Sequence, residues 1–298
     1  MIDSHLPASW PIEVMRALDR FKQGHLVERP PFFYVARPEF GVWQFTQDVG
    51  DPAIQDDLLQ IDPEDGPPYG LIVSQTCDIN EQAMNPRQPW VQVCPVYRID
   101  TIMDRGRQGH VKKGRMQHLI ALDTQTLSEG LWAADLRIEF PIEKSWLVGR
   151  APIEAFSNED GYLKLADRLA QRRGRPAFAN VISDHIVNTL RNRLNNLNSQ
   201  QQDDILDSIK QLRLEVDGNH LLPASARLMA IFVDGCSEEK QAIVKSWLDA
   251  WWQDVQLTTT AQGLPVLANQ YGFLDDIPTR IYARSTLLDF GYLSPVEP

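Results

Sequence analysis

Ser74, Gln75, Thr76, Cys77 and Asp78 follow directly on the apolar run Gly70-Leu-Ile-Val73. Side chains at the end of a buried strand are held firmly and still reach solvent, a common placement for chemistry. Cys77 as a nucleophile would need a base and a lowered thiol pKa. The candidate bases are His25, His110 and His118. Asp78 or Cys77 would help transfer a proton, and Arg98 would stabilise charge developing on a phosphate. In the plainer alternative Cys77 is a half-buried thiol, and Asp78 fixes the turn through backbone N–H groups. Ser74, Gln75 and Thr76 would then support that turn. A site using Cys77, Asp78 and a histidine has no metal-ligand spacing behind it, so no metal and no cofactor are expected.

A second stretch with chemical content runs from Asp104 to His118. It carries Arg105, Arg107, Lys112, Lys113 and Arg115, with Gly106, Gly109 and Gly114 between them. Five fixed cations on a Gly-rich loop would follow a phosphate backbone. No aromatic is interleaved for base stacking, and a plain solvated loop is the alternative. Arg168, Arg172, Arg173 and Arg175 form another basic cluster, at a helix C-terminus, where cations complement the helix dipole without a ligand. Between Asp48 and Asp65 stand seven acids and no base. This is either a solvated loop or a segment that meets a basic partner or the chain's own basic loop.

The elements that would position these residues follow from pattern. Ser9 to Phe21 reads as a short helix with Ser9 as cap and Pro11 in its first turn. Pro31 to Val35, with Val42, Trp43 and Phe45, suggests strands. Leu71 to Val73, Val91 to Val96, His118 to Leu122 and Leu131 to Phe140 read as further short strands, the last continuing through Ile142 to Leu147. Short strands punctuated by turn residues suggest a small barrel. Ser157 or Asn158 would cap a helix to Gln171 with Tyr162, Leu165, Ala166 and Leu169 on one face. Ser183 would cap a second helix, and a third would span Asp203 to Lys210. Leu212 to Val216 and Arg227 to Val233 read as strands around an Asp217-Gly218 turn. Ser237 caps the clearest helix, whose Val244, Trp247, Leu248, Trp251, Trp252 and Val255 recur at helical spacing. Two last strands are expected near Leu264 to Ala268 and Thr279 to Ala283.

The chain has 298 residues, of which 43% are hydrophobic, enough for one large or two modest domains. Its net charge of -11 argues against a surface that grips nucleic acid all over, though not against a local basic patch. Three cysteines without Cys-x-x-Cys spacing give neither a disulfide framework nor a zinc knuckle. With no signal-peptide pattern and no run of about 20 apolar residues, a cytoplasmic protein without a membrane partner is expected.

Three segments in order resemble the barrel of the PemK/MazF-like growth-inhibitor toxins, which are bacterial endoribonucleases. Leu71-Ile-Val-Ser74 is similar to their second-strand segment. Val91-Gln-Val-Cys-Pro-Val96 is similar to their strand ending in Cys-Pro and an apolar residue. Trp132 to Leu147, with Asp135-Leu-Arg137 and Glu143-Lys-Ser145, is similar to their late strand and turn. The resemblance covers residues 24–150 and implies an SH3-like barrel. Tyr97 stands where those toxins have Thr or Ser, and Pro67-Pro68-Tyr69-Gly70 where they have Arg-Pro. The catalytic pair therefore does not carry over residue by residue. A group of bacterial proteins sharing Ser-Gln-x-Cys-Asp-Ile, here Ser74 to Ile79, resembles the chain over most of its length and brings no activity with it.

The expectation is thus an α+β protein with an N-terminal helix (1–23), an SH3-like barrel (24–150), a helical connector (151–211) and a C-terminal α/β subdomain (212–298). Its expected role is binding or regulation within a bacterial toxin or defence module, recognising a partner protein or single-stranded RNA. The alternative roles are a divergent metal-independent endoribonuclease and a Cys77-dependent enzyme acting on a small substrate. Oligomeric state is left open.

Overall fold

The computed structural model of the chain describes residues 9–35, 58–60, 66–80, 87–174, 179–219 and 222–288. Val42, Trp43, Phe45, Arg175 and most of the acidic 48–65 stretch lie outside the described residues. Two units divide the chain. One comprises Met1–Gly114 with His118–Leu169, and the other Arg115–Gln117 with Ala170–Pro298. Among the described residues no helix is long and apolar enough to cross a membrane.

The first unit opens with α1 (Ile12–Leu18), which buries Val14 and Leu18. Pro11 rather than Ser9 occupies its N-cap, and no side chain accepts a cap hydrogen bond there. β1 (His25–Glu28) follows, then β2 (Phe33–Val35) and β3 (Leu58–Gln60), which pair with each other. β4 (Tyr69–Ile72) leads into the single-turn helix α2 (Thr76–Ile79). β5 (Trp90–Arg98), α3 (Arg105–Lys112), β6 (Leu119–Ala121), β7 (Trp132–Asp135), β8 (Phe140–Glu143) and β9 (Ile153–Glu154) complete the sheet region.

The expected strand from Leu131 to Phe140 is in fact two strands. Asp135 breaks it by accepting from the Arg137 N–H at 2.9 Å and clasping the Arg137 guanidinium. Pro141 lies within β8 instead of interrupting it, and Lys144–Leu147 form a 3-10 turn rather than more strand.

The strands run antiparallel in the order β6-β7-β5-β4-β1-β9. One edge of β5 is shared between two partners: Trp90 to Val93 pair with β8, and Val96 to Arg98 pair with β7. Pro95 has no N–H to give and stands at this change of partner, where that edge requires none. The exchange curls the sheet into a half-barrel. Because side chains alternate along a strand, its two faces form separate cores. Leu26, Leu71, Cys94 and Val96 pack with Leu165 and Leu169 of α4 (Glu159–Arg173). Val27, Ile72, Val93 and Ile142 pack with Val14 and Leu18 of α1. Burial on both faces explains why β4 reads as an unbroken apolar run. Asn158 caps α4 by accepting from Gly161 N–H at 3.2 Å, while Ala166, expected on the buried stripe, is exposed.

In the second unit α5 (Asn180–Ile182), a π-turn (Ser183–Val187) and α6 (Asn188–Asn195) run on without a break, so Ser183 is interior and not a cap. α7 (Ser199–Leu206) begins earlier than expected, because Asn198 and Gln201 form a reciprocal capping box. The long hairpin β10 (Ile209–Asn219) and β11 (Leu222–Phe232) carries Asp217 and Gly218 inside its ladder, at an irregularity of register, instead of at a turn. α8 (Glu238–Ala261) is capped by Ser237 as expected. Leu264 to Ala268 contributes one bridge, Val266 to Ala226, and the strand there is β12 (Gln270–Gly272). Thr279 to Ala283 forms a helix, α9 (Thr279–Arg284), followed by β13 (Ser285–Leu287). Tertiary packing overrides the β-branched sequence there: Ile277 and Ile281 lie against Met229 and Ile231 on one sheet face. The order is β12-β11-β10-β13, and α8 covers the other face with Val244, Leu248 and Trp251.

Candidate functional site

The turn after β4 is fixed before any chemistry is considered. Val73 N–H donates to Gln92 O at 2.9 Å, which carries the β4–β5 ladder one step beyond the strand. Ser74 Oγ then accepts from Gln92 N–H at 2.7 Å, taking the place of a backbone acceptor. Gln75 O accepts from both Asp78 N–H and Ile79 N–H at 3.0 Å and closes α2. Ser74 and Gln75 therefore build the turn.

Two further contacts hold α2. Gln23, just before β1, donates its N–H to Thr76 Oγ1 at 3.1 Å and its side-chain amide to Val73 O at 2.9 Å. Lys144, only 1% exposed, donates Nζ to the Asp78 carbonyl at 2.6 Å, with the ammonium 5.4 Å from the centre of the Trp10 ring. A cation at the end of this one-turn helix meets carbonyls that have no helical partner. Gln23 and Lys144 were not singled out in the sequence. Lys144 stands within the Glu143-Lys-Ser145 segment that carries part of the resemblance, and its burial was the missing signal.

Cys77 is exposed, with Sγ 3.6 Å from Gln75 Oε1 and 4.0 Å from Asp78 Oδ1. Both neighbours are oxygen acceptors, so the thiol is the donor in each contact. His25 has both ring nitrogens engaged, by Lys22 N–H at 3.3 Å and Glu154 Oε1 at 3.2 Å. His110 lies on α3, and His118 precedes β6.

Arg98 stands elsewhere. The register puts Gln92 beside Ser74, and Arg98 is six residues further along β5, about 20 Å at strand rise. There its guanidinium holds Asp100, with Nε and Nη2 both 3.2 Å from the carboxylate, which also accepts from Leu131 N–H at 3.1 Å. Hydrogen bonds from Arg98 keep the Asp100 carboxyl below its usual range. The structure thus brings Cys77 and Asp78 together and leaves Arg98 at the far end of the same strand pair.

The 104–118 segment is not the loop its glycines suggested. Asp104 caps α3 by accepting from Arg107 N–H at 2.9 Å, and Val111 anchors the helix in the core. Arg105 and Lys112 are exposed and, seven residues apart, share a face; Lys113 at the C-cap is also exposed. Arg107 pairs with Asp104 at 3.5 Å. Arg115 belongs to the second unit, where its buried guanidinium reaches Asp203 and Asp207, each at 2.5 Å. Asp203 on α7 and Asp207 at its C-cap are one turn apart, so the two arms of the fork each meet one. Arg168 is likewise committed to backbone, donating to the Leu119 and Gly114 carbonyls. Arg115→Ala is expected to lower stability by about 2 kcal/mol, less than for a fully buried pair because the aspartates are half-exposed. It should leave any RNA affinity of the intact chain unchanged, as urea denaturation and an electrophoretic shift assay would check.

Among the described residues no group of three His, Cys, Asp or Glu side chains could hold a metal ion. No protein-family model matches the chain, and a search of curated proteins gives no significant match.

Proposed function

We propose that the first unit is the binding module of a bacterial toxin or defence system, presenting α2 and the exposed face of α3 to a partner protein. The observation that carries this reading is the separation of Arg98 from Cys77 and Asp78. A phosphate held by Arg98 is out of reach of both groups that would move its proton, because catalysis requires reacting atoms within about 3–3.5 Å. The half-barrel is taken as PemK/MazF-like. This is supported by the adjacency, within one sheet, of the strands carrying Leu71 to Ser74, Cys94-Pro95 and Trp132 to Leu147.

A protein is favoured over single-stranded RNA because the expected row of five cations is dispersed. Arg115 is buried in ion pairs, Arg107 meets Asp104, and Arg105, Lys112 and Lys113 remain exposed. Three charges on a two-turn helix, in a chain of net charge -11, make a short footprint for a polyanion.

The test is a cleavage assay on mixed single-stranded RNA, over a range of salt and divalent cations, with wild type, Asp78→Ala and Arg98→Ala. No cleavage by any of the three folded proteins is expected. Cleavage by wild type that either variant loses would overturn the proposal in favour of a divergent ribonuclease. RNA binding without cleavage, weakened by Arg105→Ala and Lys112→Ala together, would replace the protein partner with RNA.

A further inference from the structure

The turn that carries Gln23 is itself held by a titratable group. His25 is 5% exposed at the start of β1. Its Nδ1 accepts from Lys22 N–H at 3.3 Å, and Nε2–H donates to Glu154 Oε1 at 3.2 Å, which defines the neutral tautomer. His25 N–H closes the same turn by donating to Lys22 O at 3.1 Å. Three hydrogen bonds run from this turn to the β4–α2 segment: Gln23 N–H to Thr76 Oγ1, the Gln23 amide to Val73 O, and Gly24 N–H to Ile72 O at 2.9 Å. Gly24 has φ +88, and a Cβ there would lie 2.6 Å from the Tyr162 ring, so the turn has little room to relax.

We propose that His25 is a pH-sensitive latch on the α2 turn: neutral, it holds Gln23 against Thr76 and Val73, and protonated, it lets go. The proposal concerns regulation of the same turn and rests on reading α2 as the binding surface. A proton on Nδ1 turns an acceptor into a donor facing the Lys22 N–H donor. The groups around the ring set the balance. From β9, Glu154 attracts the cation. From the turn, the Lys22 ammonium, 3.3 Å from Glu154 Oε1, repels it and competes for the same carboxylate. From α4, the Tyr162 hydroxyl donates to the other Glu154 oxygen, and from the segment before β1 the uncharged Phe21 ring makes a T-shaped contact with the imidazole. Burial holds the imidazole below its ordinary value of 6.5, against the pull of Glu154. The unfolded chain therefore takes up this proton first. The latch's contribution is complete above pH 6.5 and is lost as the pH falls through the lower folded value.

Amide hydrogen exchange of the full chain, corrected for intrinsic rates, tests this at about pH 7.5 and pH 5, bracketing the ordinary histidine range. In wild type, protection at Gln23 and Gly24 is expected to fall by about tenfold or more at the lower pH, in step with the His25 ring signals, while β10 and β11 stay protected. His25→Gln, whose amide accepts and donates at similar positions without titrating, should abolish the pH dependence. Glu154→Gln should move the transition to lower pH, which keeps the test decisive if the first variant folds poorly. Equal loss of protection in wild type and His25→Gln, or titration of His25 with protection unchanged, would overturn the latch. The readout needs no partner, so failure of the latch and failure of the binding-module reading are told apart.

Discussion

Truncating Trp251 to alanine is expected to cost the second unit about 3–5 kcal/mol, the range for large aromatics in a packed core. Trp251 is 2% exposed, midway along α8, and its ring centre is 5.4 Å from that of Trp252. It lies in the core that joins α8 to β10 and β11, with Leu248 and Leu214 fully buried beside it. Its Nε1–H also donates to Thr189 Oγ1 at 3.1 Å. Trp251→Phe should cost far less, since the hydroxyl of Thr189 keeps its own bond to the His185 carbonyl at 2.6 Å. Urea titration followed by circular dichroism would rank the two. If both variants lost the same stability, the hydrogen bond, and not the packed volume, would be the main contribution of this residue.

Gly70→Ala is expected to destabilise the first unit by about 3 kcal/mol, the upper part of the range for overpacking a core. A Cβ on Gly70 would lie 2.3 Å from Val93 Cγ1 and 2.8 Å from Pro30 Cγ. Val93 is fully buried and β-branched, so its methyl has no alternative position at low cost. Gly70 is also paired on both sides, with Val27 and with Pro95, so β4 has no slack to move away. The lesion lies four residues from Ser74, and the α2 turn should lose protection with the strand. Gly70→Ala with Val93→Ala should recover part of the loss, because the second change removes the clashing methyl. Thermal melts of the single and double variants would measure this, and a single variant as stable as wild type would contradict the close approach.

The helical stripe of α8 was legible in the sequence because its information is local. Ser237 accepts from Lys240 N–H at 3.4 Å, three residues away, and the apolar residues recur at the helical period. The β4 and β5 strands were legible for the same reason. The 104–118 segment misled because its three glycines signal a loop, whereas the Asp104 cap and the burial of Val111 decide for helix. Thr279 to Ala283 misled because packing of Ile281 against the sheet outweighs a weak strand preference.

The candidate site divides along the same line. The types of its residues and the polar turn after a buried strand were set by the sequence alone. Which residues share a location was decided by tertiary structure. Arg98 is 20 positions from Asp78 in the chain, and only the β4–β5 register places the two at opposite ends of a strand pair. Arg115 sits among four other cations in sequence, and only a fold that closes an 88-residue separation pairs it with Asp203. Lys144 reaches the Asp78 carbonyl across 66 residues, and Gln23 reaches Thr76 across 53. Caps and periodicity are encoded by neighbours within a turn or two. Register and long-range ion pairs arise only when distant segments compete for the same buried surface, and a linear sequence holds no direct trace of that competition.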